Sequence, residues 1–410
     1  MKWKNNKNFK PEIILKKIDE IKIIKEDNTV SFAASQYIEA ISILYNMIDF
    51  PENLLFFRKQ QILKNAISNI AKEKLDKDKL INELNRLYKI ETSKKENIYK
   101  ILTSISISYP LPMKSIVIGK SKIEFMKDYP KKYFSREDSS VYAKEKLDLD
   151  DNQYTKIIIT IKEKSDEIAI NQAFDDLDLL RAIFSLKLNS FSEINIFGVS
   201  KDIPINKIRL GKYHTIHDIN GKNINPERYW FEPNYEETKV YYHSQDEIES
   251  LKKDIKFVLS QLKKCKFSKN IEKALLRYVR AFDEKDSNVA FLKVWSALEY
   301  IITNDRNNKN DLVKRCSFLY KDGEYTKQIF EHLREYRNET VHSGIRSKEV
   351  RYYCFQIQRV FKQLIFFCLR KANEFDSIED MHHFLDYSDN LSKLEKDKEI
   401  LERVIKFRKA

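Results

Sequence analysis

The chain has 410 residues, 42% of them hydrophobic and 12% aromatic, so it can bury a substantial core and does not have the composition of a disordered segment. Its formal charge of +13 favours a polyanionic partner such as nucleic acid or an anionic surface, although a generally Lys-rich proteome would give the same surplus. Four cysteines with no Cys-x-x-Cys pair argue against a zinc ribbon or a disulfide framework, and six glycines argue against a P-loop or Rossmann turn.

The opening MKWKNNKNFKPEIILKK is basic but lacks the continuous apolar core of a secretory signal. LIFFCL (364–369) is too short to span a bilayer. A reducing, cytoplasmic location without a membrane partner is the expectation. Residues 1 to about 108 read as mostly helical: FAASQYIEAISILYNMI (32–48) and PENLLFFRKQQILKNAISNI (51–70) carry helical periodicity, with Pro51 suited to a first helical position. IKIIKEDNTVSF (21–32) fits strand, turn and strand as well as it fits helix. Tyr109-Pro110-Leu111-Pro112 is a break.

From about 113 the pattern becomes mixed α and β. KSIVIG (114–119), TKIIITIK (155–162), SEINIFG (192–198) and KVYYH (239–243) read as strands, and NQAFDDLDLLRAIFSLKLN (171–189) as a helix. From about 245 to 372 the chain is again helical. Ser268 is a candidate cap for a helix carrying Ile271, Ala274, Leu275, Tyr278 and Phe282. Asp286 or Ser287 caps the next, VAFLKVWSALEYII; a third runs from about 325 to 342. The fourth, about 346–372, carries Val350, Tyr353, Cys354, Ile357, Phe361, Leu364, Phe367 and Cys368 at spacings of three and four. Four helices with short connections predict an antiparallel up-and-down bundle. The fold class is therefore α+β, a mixed region over 1–244 followed by an all-α bundle over 245–387, with one more surface helix in 388–410 that could serve dimerisation or docking.

The chemistry concentrates in EYRNETVHSG (335–344). Arg337 borders the rows Ile329, Leu333, Tyr336, Thr340 and Phe330, Leu333, Arg337, Val341. Its guanidinium cannot discharge and so needs an anionic partner or a wet cleft. Leu292, Trp295, Glu299 and Ile302 share a row in the second helix, which places a carboxylate where pairing with Arg337 satisfies both. A structural ion pair locking two helices is one reading of these residues. The other adds Asn338, a neutral donor and acceptor, and His342 at the helix end that Gly344 is expected to cap. Arg, Asn and His together can clamp a phosphate and move protons around it. The Arg-x4-His spacing alone is weak; its setting between amphipathic helices of a basic chain strengthens it.

FLKVWSALEYII, DLVKRCSFLY and FEHLREYRNETVHSGI together resemble a HEPN domain, most closely the Apea-like branch, over about 245–372. The resemblance implies a helical bundle that dimerises and a metal-independent endoribonuclease with Arg337 and His342 as its catalytic pair. Asn338 would support them and Glu299 would orient Arg337. It further implies RNA as partner, no cofactor and no metal, and a bacterial role in abortive defence against phage, with a phage-derived trigger or an antitoxin in control. Some toxins of the family carry a modifiable Tyr two residues after the motif His; here that position is Gly344, which puts such control in doubt. The alternatives are a non-catalytic HEPN scaffold that binds RNA or a nucleotide, and a toxin silenced by a separate antitoxin. His214 and His217 in KYHTIHD have a spacing open to metal, but no matching Cys or His group accompanies them and the flanking Gly and Asn suggest a loop. His382 and His383, adjacent on a helix, read as surface residues.

Overall fold

The computed structural model describes residues 1–27, 29–51, 54, 56–147, 153–192, 203–233, 235–303 and 311–409. They form two compact units, Met1–Asn97 with Lys162–Ala169, and Ile98–Ile161 with Ile170–Ala410. The 245–387 segment read as a bundle domain thus shares a unit with the mixed region from residue 98 onward.

In the first unit, strand β1 (Lys2–Trp3) pairs antiparallel with β4 (Ile48–Asp49), and β2 (Lys22–Ile24) with β3 (Val30–Phe32). The ambiguous 21–32 stretch is therefore a hairpin following helix α1 (Pro11–Ile21). Helices α2 (Ala34–Met47), α3 (Phe56–Ile70) and α4 (Lys77–Ser93) complete this unit, and Pro51 lies outside α3 rather than opening it. Leu15, Ile18, Leu44, Leu63, Ile67 and Leu84 are among the residues of a single apolar core. Asp76 caps α4 by accepting from the amides of Asp78 and Lys79, two of the donors a helix start leaves unpaired.

The second unit holds a six-stranded sheet built from β5 (Asn97–Ile105), β6 (Ser115–Ile118), β7 (Ser121–Met126), β8 (Thr155–Glu163), β9 (Tyr213–His217) and β10 (Trp230–Phe231). Its order is β10-β9-β5-β8-β7-β6, with Ile101 opposite Ile216 and Ile123 opposite Ile159 in antiparallel register. The central strand β5 falls inside the stretch read as helical. It is buried on both faces over Leu102–Ile105, so it loses the alternation that marks a half-exposed strand. A 3-10 segment, Lys131–Ser139, runs into the short helix α5 (Ser140–Ala143), and Tyr133 from it packs with Leu102 and Ile158. Helix α6 (Asp166–Leu188) begins five residues before the predicted start and brings Phe174 against His214.

Two other strand expectations change. KVYYH makes only an isolated bridge, Ile107 with Tyr241, and SEINIFG lies outside the described residues from 193 onward. KYHTIHD forms the buried strand β9 rather than a loop, because its Gly and Asn residues mark the turn beyond the strand. His217 donates from Nδ1 to the Gly221 carbonyl at 2.9 Å, which leaves Nε2 to accept from Thr215 Oγ1 at 2.9 Å. Arg136 donates to that same hydroxyl at 2.7 Å. Gly221 has φ of +94°, and a Cβ there would lie 2.6 Å from the Lys132 carbonyl oxygen, so the turn that meets His217 admits only glycine.

The C-terminal helices are α7 (Gln245–Lys264), α8 (Ser268–Ala281), α9 (Ser287–Ile302), α10 (Asp311–Phe318), α11 (Gly323–Ser343), α12 (Val350–Arg370), α13 (Ile378–Leu385) and α14 (Leu391–Lys409). Helix α9 packs against α8 and α12, α7 against α8 and α12, and α10 against α9, α11 and α13. The buried side of α12 follows the 3.6-residue period, and Tyr278 of α8 stacks on its Phe361 with centroids 4.6 Å apart. Ser268 does not cap α8: Phe267 takes that position, without a side-chain bond. Among the described residues no helix is long and apolar enough to cross a membrane. Helix α14 buries none of its residues.

Candidate active site

The site is built from the second half of α9 and the last two turns of α11. Helix α9 starts cleanly because Asp286 accepts from the amides of Asn288 at 2.7 Å and Val289 at 3.3 Å. Asn288 Oδ1 in turn accepts from the Tyr336 hydroxyl at 2.5 Å, and that hydroxyl accepts from the Ser347 amide at 3.2 Å. Tyr336 also packs edge-on against Phe291 and Tyr353, at 5.0 Å from each. One tyrosine therefore fixes α11 to the start of α9 and ties down the chain that follows α11.

Where that chain leaves the helix, Gly344 adopts φ of +66° and its amide returns to the Thr340 carbonyl at 3.2 Å. This is the left-handed cap that the sequence predicts, and it ends α11 two residues past His342.

Arg337 Nη2 lies 3.7 Å from Glu299 Oε1, with the two side chains 27% and 38% exposed. The same Glu299 oxygen accepts from the Trp295 indole at 2.8 Å, so the carboxylate is held by its own helix one turn back. Trp295 lies four residues before Glu299, on the same side of the helix, a bond that the sequence reading did not single out. Arg337 Nη1 also donates to Asn338 Oδ1 at 3.3 Å. Glu299, Arg337 and Asn338 are therefore in one constellation. His342 is exposed in the last turn and makes no hydrogen bond among the described residues. It stands five residues beyond Arg337, about 140° around the helix axis at about 100° per residue, while Asn338, four residues before it, shares its side. Val341, expected on the apolar row, is exposed, because the final turn extends past the core.

The pairing differs from the chain's structural arginines. Arg315, 4% exposed, donates to both carboxylate oxygens of Asp386 at 2.8 and 2.7 Å and to the Ile302 carbonyl at 2.6 Å. Arg181, fully buried, bonds Asp178 at 2.6 Å and Asp283 at 2.7 Å. Those guanidiniums are paired with carboxylates and sealed from solvent. Arg337 is about a quarter exposed, at longer range from its carboxylate, and retains donors free to meet a phosphate.

Arg346 adds a second cation, 3.3 Å from Asp286 and largely exposed, just past the helix cap. The sequence reading did not single it out.

His382 is a correction. It is buried, and its Nε2 bonds the Ile301 carbonyl at 2.8 Å, so it braces α13 on α9 rather than facing solvent; burial lowers its pKa. Among the described residues no group of His, Cys, Asp and Glu is arranged to hold a metal ion. No protein-family model, curated protein or solved structure matches the chain.

Proposed function

We propose that this protein is a HEPN-type endoribonuclease that cuts RNA without a metal ion and acts in the cytoplasm in bacterial defence against phage. The observation that supports it most directly is the partly exposed Arg337, oriented by a Glu299 carboxylate that Trp295 holds in place. Arg315 and Arg181, which join helices, are by contrast 4% and 1% exposed.

The chemistry follows from the substrate. RNA carries its nucleophile in the 2′-hydroxyl, so the site must supply a base, an acid and charge stabilisation. His342 takes the 2′-proton or protonates the departing 5′-oxygen. Arg337 stabilises the charge that develops on the pentacoordinate phosphate, and Asn338 donates a neutral hydrogen bond beside it. The products are a 2′,3′-cyclic phosphate and a 5′-hydroxyl.

A single α11 turns Arg337 and His342 to different sides, about 140° apart. A two-fold homodimer resolves this by placing two copies of the motif around one cleft, giving both an acid and a base. The first unit and the sheet then serve to sense a phage-derived trigger or bind an antitoxin. The test is RNA cleavage by the wild type beside Arg337→Ala and His342→Ala, with and without chelator. Loss in both variants and indifference to chelator is the expected result; cleavage that persists in the variants, or that chelator abolishes, refutes the scheme.

A further inference from the structure

The second unit contains a cavity of about 490 Å³ between α6, α7 and α12, which shares no lining residue with the Glu299–Arg337 constellation. Its α12 wall carries Arg359, Lys362, Gln363, Phe366 and Arg370, which fall on one helical face at spacings of three and four. The opposite wall carries Lys187 from α6 and Asp254 from α7, paired with each other at 3.2 Å. Among the described residues Arg359, Lys362 and Arg370 have no carboxylate partner, which leaves three cations around one concave space. Burial and the like charge of Lys187 lower the Lys362 pKa against the opposing pull of Asp254.

The same cavity has aromatic walls. Phe191, just past α6, lies under the Lys362 ammonium with 4.5 Å from nitrogen to ring centroid, and it is largely exposed. Phe366 lies beside the Arg370 guanidinium at 5.8 Å. Tyr320 closes one end, its hydroxyl pKa raised to about 12 by burial and hence neutral. Rings stacked with cations offer flat surfaces to a planar heterocycle while the cations hold its charged groups. The volume lies within the range of pockets that enclose small ligands, about 300–1,000 Å³. Ile183, Leu186 and Val258 supply the apolar floor.

We propose that this cavity is a binding site for a nucleoside phosphate, with Arg359, Lys362 and Arg370 on the phosphates and Phe191 stacked on the base. It uses α6, which lies outside the 245–372 segment of HEPN resemblance, and it does not depend on the ribonuclease reading. Binding is read without cleavage, so the two proposals fail separately.

The experiment is isothermal titration calorimetry of the full chain with ATP, AMP, adenosine and pyrophosphate. Saturable binding of ATP is expected, with AMP weaker because it presents fewer charges, and with adenosine and pyrophosphate each at least about tenfold weaker than ATP. The variants Arg359→Gln/Lys362→Gln and Phe191→Ala should each lose about tenfold or more in ATP affinity, with unchanged far-ultraviolet circular dichroism. An Asp246→Asn control, on α7 but outside the cavity lining, should bind as the wild type does. The proposal is overturned if ATP shows no saturable binding at millimolar concentration, if both cavity variants bind as the wild type does, or if pyrophosphate binds as tightly as ATP. It is also overturned if a single-stranded RNA binds the cavity residues, as judged by loss in Arg359→Gln/Lys362→Gln, while ATP does not.

Discussion

Arg337→Ala separates a catalytic arginine from a structural one. The pair it breaks spans 3.7 Å between side chains 27% and 38% exposed, so solvent screens most of its Coulomb energy. Such a pair is worth at most about 1 kcal/mol. Its loss strands no charge, because Glu299 keeps its 2.8 Å bond from Trp295 and its contact with water. The melting temperature should therefore fall by no more than about 2 °C. Catalysis should respond quite differently, since removing one donor to a developing oxyanion costs about 100- to 1,000-fold in rate. Asp386→Ala is the structural counterpart. It removes the carboxylate that receives two hydrogen bonds from Arg315, a guanidinium only 4% exposed, and should cost about 3 kcal/mol. The assay pairs a circular-dichroism melt with the rate of cleavage of end-labelled RNA. If Arg337→Ala melts as early as Asp386→Ala, or cleaves RNA at the wild-type rate, Arg337 is a helix lock and the assignment is wrong.

Three further outcomes follow from the geometry. His217 is buried and its pKa is held down to about 4, with burial the first cause, so the unfolded chain binds a proton between that value and about 6.5 that the folded chain does not. Stability should therefore fall as pH drops through that window, by up to about 3 kcal/mol, and His217→Gln should flatten the dependence in urea titrations at stepped pH. Asp386 behaves conversely: the Arg315 hydrogen bonds lower its pKa, so its stabilisation is complete above the ordinary carboxylate range and disappears as pH falls below it. The acid limb should be shallower in Asp386→Asn, measured by the same titration. Gly344→Ala forces a Cβ into the left-handed region and should cost about 1 kcal/mol, seen as faster hydrogen exchange in the last turn of α11 with the core amides unchanged.

Much of the site was legible because local physics fixes it. Asp286 caps α9 because an acidic side chain at that position meets free amides, and Gly344 ends α11 because only glycine takes its conformation at no steric cost. The face of α12 follows from period alone. The Glu299–Arg337 approach was readable from two rows that each carried one charge beside apolar neighbours. What was not legible depends on partners distant in sequence. His382 is buried because the Ile301 carbonyl on α9 waits for it, and nothing in HH itself announces that acceptor. Strand β5 is covered on both faces, which erases the alternation used to recognise strands. The two histidines of β9 read as a loop because glycine and asparagine flank them, although those residues lie beyond the strand ends. Arg346 escaped notice because its carboxylate, Asp286, lies sixty residues earlier, at the cap of another helix.

The central claim is that the 2′-hydroxyl of RNA is the nucleophile and that His342 and Arg337 serve it without a metal. The most direct test compares cleavage of one RNA with the same RNA carrying a single 2′-deoxyribose at the mapped cut site, in the presence of chelator. The account predicts a cut, ending in a 2′,3′-cyclic phosphate, in the all-ribose strand and none at the deoxy position. Cleavage at the deoxy position would show that the attacking group comes from elsewhere, and would contradict the account.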